Sequence, residues 1–255
     1  MSDHVKIEQR GRVQLITINR PDKKNALTQE IYGVMAAALR DADERSDIGA
    51  TVLTGAGDIF TAGNDLGDFT TSLNDDEVPP VSRFLMALCT IKKPLVGAVN
   101  GAAIGVGTTM LLHCDLVYGC ETTALQTPFV NLALVPEAAS SILLPRRVGH
   151  ALAAEMFLLG KTLNADEALQ AGILNEVIPA DKLLDHAMAK ATALAAQAPS
   201  AVMATKALMR DSNEVLLERL RVEGEVFAKL LVTEEFGEAV AAFREKRKPD
   251  YTKFN

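Results

Sequence analysis

The stretch PLVGAVNGAAIGVGTTMLLHCD, which runs from Pro94 to Asp115, decides how the rest of the chain is interpreted. The apolar run Leu95–Val99 predicts a buried strand, and Gly105-Val106-Gly107 follows it and leads into a helical pattern that begins at Thr108. A strand followed by a glycine-rich turn at a helix N-terminus directs unpaired backbone N–H groups at an anion. A phosphate needs a longer glycine-rich cradle, whereas an oxyanion that develops during a reaction needs two donors.

Composition and charge exclude several classes of protein. The chain has 255 residues, 48% of them hydrophobic, so it can form one large domain or a domain with a helical appendage. Its net charge of −7 argues against nucleic-acid binding, and it has no apolar run long enough to span a membrane. Three cysteines without metal or redox spacing, four scattered histidines and a polar N-terminus predict a cytoplasmic protein without a metal site.

The order of predicted elements indicates an α/β fold. Strands are predicted at residues 13–19 and 50–54, with a helix capped by Thr28 between them. From about Ala139 the pattern is helical almost to the end, interrupted by a short predicted strand at residues 173–178. Strands alternating with helices, followed by helices alone, predict an α/β core with a C-terminal helical layer.

Several segments, in this order, resemble the crotonase (enoyl-CoA hydratase/isomerase) superfamily over nearly the whole chain. They are residues 19–27, 60–66, 94–115, 126–141, 160–161 and 168–177. The resemblance implies a crotonase-like ββα spiral core over residues 1–195 and a C-terminal helical trimerisation layer over residues 196–255. It also implies a homotrimer or a dimer of trimers.

The resemblance further implies that the ligand is an acyl-CoA thioester, with coenzyme A as part of the substrate and no separate cofactor. Mapped by motif, the thioester carbonyl would lie between the backbone N–H groups of Ala62 and Val106. Such donors contribute about 3–4 kcal/mol each to stabilising an oxyanion. The family usually has glycine where Val106 stands, and a turn that serves packing alone is the structural alternative.

Two positions separate the hydratases of this family from its isomerases. Hydratases use two glutamates, and the corresponding positions here are Thr109 and Phe129. Hydration without either carboxylate would lack its acid–base pair. A hydratase is therefore the less favoured interpretation.

Glu137 supplies a different carboxylate on the same loop. The pattern TPF…PE…SS around Glu137 resembles the peroxisomal-type Δ3,Δ2-enoyl-CoA isomerases, and Asn64 in place of the commoner alanine agrees with that branch. The resemblance implies that Glu137 removes a C2 proton from a 3-enoyl-CoA of fatty-acid β-oxidation and returns it to C4. Apolar neighbours that face Glu137 would raise its pKa. The alternative role for Glu137 is a first-turn carboxylate on a helix that starts at Ala138.

The remaining predicted site residues concern binding of the substrate. Lys23 and Lys24 could contact phosphates of coenzyme A, or could be solvated lysines after a turn. Near the C-terminus, Phe243 and Lys246 are expected from the resemblance alone to help close the site. The other predicted contacts are Ala26, Gly63, Asn64, Asp65, Leu66, Gly105, Phe129, Leu132 and Leu134.

Three other functions remain open at this point. The chain could be another acyl-CoA enzyme of the superfamily, namely a hydratase-like enzyme, a dehalogenase or a decarboxylase. It could be a catalytically inactive acyl-CoA-binding protein. The glycine-containing turns alone would also allow a nucleotide-binding domain, although Gly55-Ala56-Gly57 lacks a third glycine in register.

Overall fold

Strands form two sheets within residues 3–65, 67–68 and 78–254, which the computed structural model describes. The strands are β1 Val5–Arg10, β2 Val13–Ile18, β3 Ala50–Gly55, β4 Leu95–Val99, β5 Ala102–Ile104, β6 Leu116–Gly119, β7 Ala124–Gln126, β8 Leu163–Asn164 and β9 Glu176–Val177. The larger sheet has the order β1-β2-β3-β4-β6-β9, and the smaller one has the order β5-β7-β8. In the larger sheet β1 and β2 are antiparallel, and all other neighbours are parallel.

Helices cover the larger sheet and make up most of the second half. They are α1 Gln29–Glu44, α2 Pro80–Thr90, α3 Val106–Thr109, α4 Ser140–Val148, α5 His150–Leu159, α6 Ala165–Gln170, α7 Leu183–Ala195, α8 Pro199–Met209, α9 Asn213–Leu230 and α10 Glu234–Arg244. Among the described residues no helix is both long and apolar enough to cross a membrane. The predicted division after residue 195 falls between α7 and α8, and it stays a prediction.

Strand β4 shows why the larger sheet is buried on both faces. All five of its residues are buried, as expected of a parallel strand that is covered on both sides. Leu95 and Val99 belong to the core cluster that includes α1 and α2. Val96 and Ala98 belong to a second cluster, which contains the buried face of α7. Alternate side chains of one strand therefore enter two different cores.

The structure corrects the sequence prediction at four elements. Strand β1 was not predicted, because its sequence VKIEQR has only two apolar residues, and its residues after Val5 are exposed. The bridge before the glycine turn is strand β5, and the helix predicted from Thr108 is α3 followed by a 3₁₀ turn, Met110–His113. The strand predicted at residues 173–178 is only β9, because the N–H groups of Ile173 and Leu174 donate to the carbonyl of Ala168.

The last described residues of the chain fold back onto α10 and onto the loop that follows β7. Glu238 on α10 accepts hydrogen bonds from Arg247 and Lys253. The hydroxyl of Tyr251 donates to the carbonyl of Asn131 at 2.9 Å. These contacts attach the C-terminal segment, and α10 with it, to the loop that follows β7.

Asn25 fixes the turn between β2 and α1. Its side chain is fully buried; Oδ1 accepts from the Arg20 N–H, and Nδ2 donates to the carbonyls of Ala56 and Ile59 at 2.9 and 2.8 Å. Its backbone is left-handed, with φ of 55°, a conformation that asparagine adopts more readily than most residues. The turn therefore depends on an asparagine at this position.

We expect Asn25→Ala to lower the free energy of unfolding by about 2 to 4 kcal/mol, because the partly buried Arg20 N–H and two carbonyls each lose a hydrogen bond to Asn25. Chemical denaturation with urea measures the loss. Asn213→Ala, at an exposed position of α9, is the matched control and should change stability little. Equal stability of the two variants would contradict the role given to Asn25.

Candidate active site

One cavity of about 640 Å³ brings together most of the residues that the sequence predicted. The predicted residues in its wall are Lys23, Lys24, Ala26, Ala62, Gly63, Asn64, Asp65, Gly105, Val106, Phe129, Leu132 and Leu134. Leu66 lies outside the described residues. Glu137 does not line the cavity but lies behind its wall.

The C-terminal helices close one side of this cavity, which sequence reasoning largely missed. Phe227 of α9 contributes to the wall together with Val240, Phe243 and Arg244 of α10. Phe243 was expected there from the resemblance, whereas Lys246 is not part of the lining. The only sequence signal for Phe227 is its helical spacing, which does not reveal what the face contacts.

Two glycines allow the loop before Asn64 to approach the turn at Val106. A Cβ atom on Gly63, whose φ is 86°, would lie 2.7 Å from the carbonyl oxygen of Ile104. A Cβ atom on Gly107 would lie 2.6 Å from Cγ2 of Thr61. Any side chain at either position would therefore separate the two segments.

The structure corrects one of the two predicted oxyanion donors. The N–H of Ala62 donates to the carbonyl of Lys24 at 2.9 Å, so it is not free to bind a ligand. The N–H groups of Asn64 and Val106 have no acceptor within the described part of the chain, and both residues line the cavity. The Ala62 assignment is therefore wrong, since this N–H is used in pairing residues 61–65 with residues 24–27. The free pair of donors is Asn64 and Val106.

Glu137 is a buried carboxyl group with a displaced pKa. The residue is 7% exposed, and the hydroxyl of Thr109 donates to its Oε1 at 2.6 Å. Burial raises the pKa of Glu137 from 4.5 to about 7; the hydrogen bond from Thr109 opposes the shift, and the charge of Glu223 adds to it. The direction agrees with the sequence prediction. Such a group can both accept and return a proton near neutral pH.

Contacts on two sides place Glu137 next to the cavity wall. Thr109, its hydrogen-bond partner, lies one turn after Val106 on α3. The hydroxyl of Tyr32 donates to Oδ1 of Asn64, and burial together with the charge of Glu137 raises the pKa of Tyr32 well above its usual value. Thr109 and Tyr32 thus connect Glu137 with the two segments that carry the free backbone donors.

The alternative role of Glu137 as a helix-terminal carboxylate is wrong. Helix α4 begins at Ser140, because Ala138 and Ala139 are left-handed with φ of 62° and 54°. The carboxylate at its N-terminus comes from α9 instead. Glu223 accepts hydrogen bonds from the N–H groups of Ala139 and Ser141 at 2.6 and 2.9 Å.

Other ionisable groups near the cavity are poor bases. Asp65 forms an ion pair with Arg20 at 2.6 Å, which lowers the pKa of this carboxyl. Burial lowers the pKa of His113 to about 4, and the neutral imidazole has its Nε2 2.7 Å from the carbonyl of Ala138. The Nδ1 of His113 has no partner among the described residues. No described group of three or more His, Cys, Asp or Glu side chains could hold a metal ion.

Comparison with known proteins identifies the family. Residues 8–254 match the family model described as enoyl-CoA hydratase/isomerase. The chain therefore belongs to the enoyl-CoA hydratase/isomerase family, in the crotonase superfamily.

Individual relatives carry names of both reaction types. The chain is 36% identical to 2,3-dehydroadipyl-CoA hydratase of Escherichia coli over 96% of its own length and 97% of that protein. It is 35% identical to enoyl-CoA delta isomerase 2 of Rattus norvegicus over 87% of its own length and 58% of that protein. The crystal structure of an enoyl-CoA hydratase/isomerase from Pseudoalteromonas atlantica superposes with a TM-score of 0.95 at 44% identity, covering 98% of this chain and 100% of the other. These matches confirm the predicted crotonase-like α/β fold.

The raised pKa of Glu137 determines how the stability of the protein should depend on pH. Because its folded-state pKa is raised, the folded protein binds this proton more tightly than the unfolded chain, so stability falls as the pH rises from about 4.5 towards 7. Glu137→Gln keeps the shape without the charge, so it should stabilise the protein by about 3 kcal/mol at pH 8. The gain should largely vanish at pH 4.5. Thermal unfolding at both pH values measures it, and a pH-independent difference would contradict the assigned pKa.

Proposed function

We propose that this protein is a Δ3,Δ2-enoyl-CoA isomerase of fatty-acid β-oxidation in which Glu137 moves the proton. The observation that supports it is the combination of one buried carboxyl group, with a pKa near neutrality, and two free backbone N–H groups. Thr109 stands where the resemblance places a hydratase carboxylate, and its hydroxyl is bound to Glu137. At the other hydratase position, Phe129 is buried and its ring lies 6.5 Å from that of Phe157.

The reaction needs one base and one oxyanion site. Glu137, as a carboxylate, removes a proton from C2 of a 3-enoyl-CoA. The electron pair of the broken C2–H bond forms the C1–C2 double bond of a dienolate, the C3–C4 double bond remains, and negative charge develops on the thioester oxygen. The N–H groups of Asn64 and Val106 stabilise that charge. The protonated Glu137 then donates to C4, which gives the 2-trans-enoyl-CoA and restores the carboxylate.

The environment of Glu137 suits a group that both accepts and donates the same proton. Its pKa near 7 keeps both forms accessible at neutral pH, which is the condition for efficient acid–base catalysis. Thr109 occupies Oε1, and Oε2 has no hydrogen-bond donor among the described residues. We assign the proton transfer to Oε2.

A hydratase is the second candidate, because the Escherichia coli relative is named a hydratase and matches almost its whole length. Hydration would need a group that activates water in addition to the group that protonates the carbon. At the position where the resemblance places the second group stands Thr109, whose neutral hydroxyl is not a base and is bound to Glu137. The isomerase therefore fits the ionisable groups of the site better.

We also assign the cationic rim of the cavity to the phosphates of coenzyme A. Lys23 and Lys24 are exposed in the lining, and Arg244 of α10 joins them. Trimerisation and cytoplasmic location stay predictions; the exposed Leu208 and Met209 of α8 are side chains that an interface between copies would bury.

We expect Glu137→Gln to lower kcat for the conversion of 3-hexenoyl-CoA to 2-hexenoyl-CoA by about 100- to 10,000-fold, because the amide cannot accept the C2 proton. The absorbance of the conjugated product measures the rate. Glu44→Gln, at the exposed end of α1, is the control and should retain full activity. An unchanged rate in Glu137→Gln would disprove this role. Hydration of 2-hexenoyl-CoA faster than isomerisation of the 3-isomer would favour the hydratase.

We expect Arg244→Ala to raise KM for acyl-CoA about five- to tenfold and to leave kcat nearly unchanged, since it removes a charge far from the reacting carbons. Steady-state kinetics at low ionic strength provide the measurement, with acyl-CoA and the corresponding acyl-pantetheine thioester compared as substrates. The KM for the pantetheine substrate, which lacks the nucleotide phosphates, should not respond. Arg40→Ala, exposed on α1, controls for the loss of charge.

A further inference from the structure

The segment that follows Glu137 is held from the C-terminal helical layer. Ala138 and Ala139 are both left-handed and fully buried, a conformation that costs L-residues about 1–2 kcal/mol each. Two consecutive residues in this conformation persist only where their surroundings impose it. The surroundings therefore fix the backbone position from which the Glu137 side chain extends.

Glu223 of α9 provides the main polar contacts to this segment. The residue is 5% exposed, and its two carboxylate oxygens accept from the N–H groups of Ala139 and Ser141 at 2.6 and 2.9 Å. Both oxygens act as acceptors, which is the arrangement expected of the ionised form. A carboxylate at the N-terminus of α4 is also favoured by the helix dipole.

Glu223 lies on the face of α9 that also reaches the active site. Leu216, Leu220, Glu223 and Phe227 recur at helical spacing, and Phe227 lines the cavity. Glu223 thus adjoins the backbone two residues after Glu137, while the next turn of the same helix forms the cavity wall. One rigid helix therefore connects the catalytic segment with the site of the acyl group.

We propose that Glu223 is a positioning residue for Glu137: it holds the left-handed turn after Glu137 and places a negative charge beside it. This inference builds on the proposed function, in which Glu137 transfers the proton. The charge acts across a buried, low-dielectric region, where like charges disfavour a second ionised carboxyl group. Consistent with this, the charge of Glu223 contributes to the raised pKa of Glu137.

Three other titratable groups near Glu137 are uncharged at neutral pH. Tyr32 on α1 and Cys89 on α2 both have pKa values raised by burial, that of Cys89 to about 12. His113, on the 3₁₀ turn after α3, has its pKa lowered by burial to about 4. Arg210 lies close enough to influence Cys89 and His113, and Arg219 partly offsets the raised pKa of Glu223. Glu223 is thus the ionised carboxylate whose removal should lower the pKa of Glu137.

Two substitutions separate the charge of Glu223 from its hydrogen bonds. Glu223→Gln removes the charge and can accept only one of the two N–H groups, whereas Glu223→Asp keeps the charge on a shorter side chain. Glu137 is active when ionised, so kcat/KM rises with pH through its pKa. In Glu223→Gln this rise should move to lower pH by about half a unit or more. In Glu223→Asp the rise should stay at the pH of the wild type. Both variants should reach a lower kcat/KM at high pH than the wild type.

The measurement is the pH profile of kcat/KM for 3-hexenoyl-CoA, with Glu225→Gln as the matched control. Glu225 is on the same helix, is exposed and pairs with Arg221. The pH profile of Glu225→Gln should therefore equal that of the wild type. A lower plateau in Glu223→Gln with an unmoved pH profile would show that Glu223 is only a helix cap. A wild-type profile in Glu223→Gln would overturn the inference altogether.

A second readout does not depend on catalysis. Infrared titration of the protonated carboxyl C=O band, assigned to Glu137 by its loss in Glu137→Gln, gives the pKa of Glu137 directly. A fall of this pKa in Glu223→Gln but not in Glu223→Asp supports the inference even if the wild type does not isomerise 3-hexenoyl-CoA. Isomerisation by the wild type with an unmoved band in Glu223→Gln would leave the proposed function intact and refute the inference.

Discussion

The site depends on keeping one ionisable carboxyl group away from water. Glu137 is surrounded by protein, so its charged form loses hydration, and no cation among the described residues replaces it. A single hydroxyl, that of Thr109, partly compensates. Ionising Glu137 therefore costs free energy in the folded protein, and this cost raises the pKa of the carboxyl group to about 7. Active sites commonly combine reactivity with reduced stability in this way.

The sequence could predict those features of this molecule that neighbouring residues along the chain determine. Strand β4 was predicted with its correct limits, because an apolar run between turn residues is a local signal. The cap of α1 was predicted for the same reason, and Thr28 does accept from the Ile31 N–H. Residues whose roles follow from motif positions, such as Val106, were likewise found in the cavity wall.

Errors arose where long-range pairing decides the outcome. The loop motif drew attention to Ala62, but its N–H is engaged by the carbonyl of Lys24, a contact that sequence does not reveal. Nor did any pattern connect Glu223 with Ala139, since 84 residues separate them. Strand β1 was missed because it is an edge strand with mostly exposed side chains. In each case the missing information is which segments meet.

The attachment of the C-terminal segment has a consequence for how the protein is made. Phe243 and Arg244 line the cavity, and Tyr251 fastens the segment beyond them to Asn131. A chain synthesised from its N-terminus can form both sheets before residues 227–251 have left the ribosome. The cavity therefore acquires its last wall after the sheets. A nascent chain of this protein contains Glu137 before it contains the residues that complete the cavity.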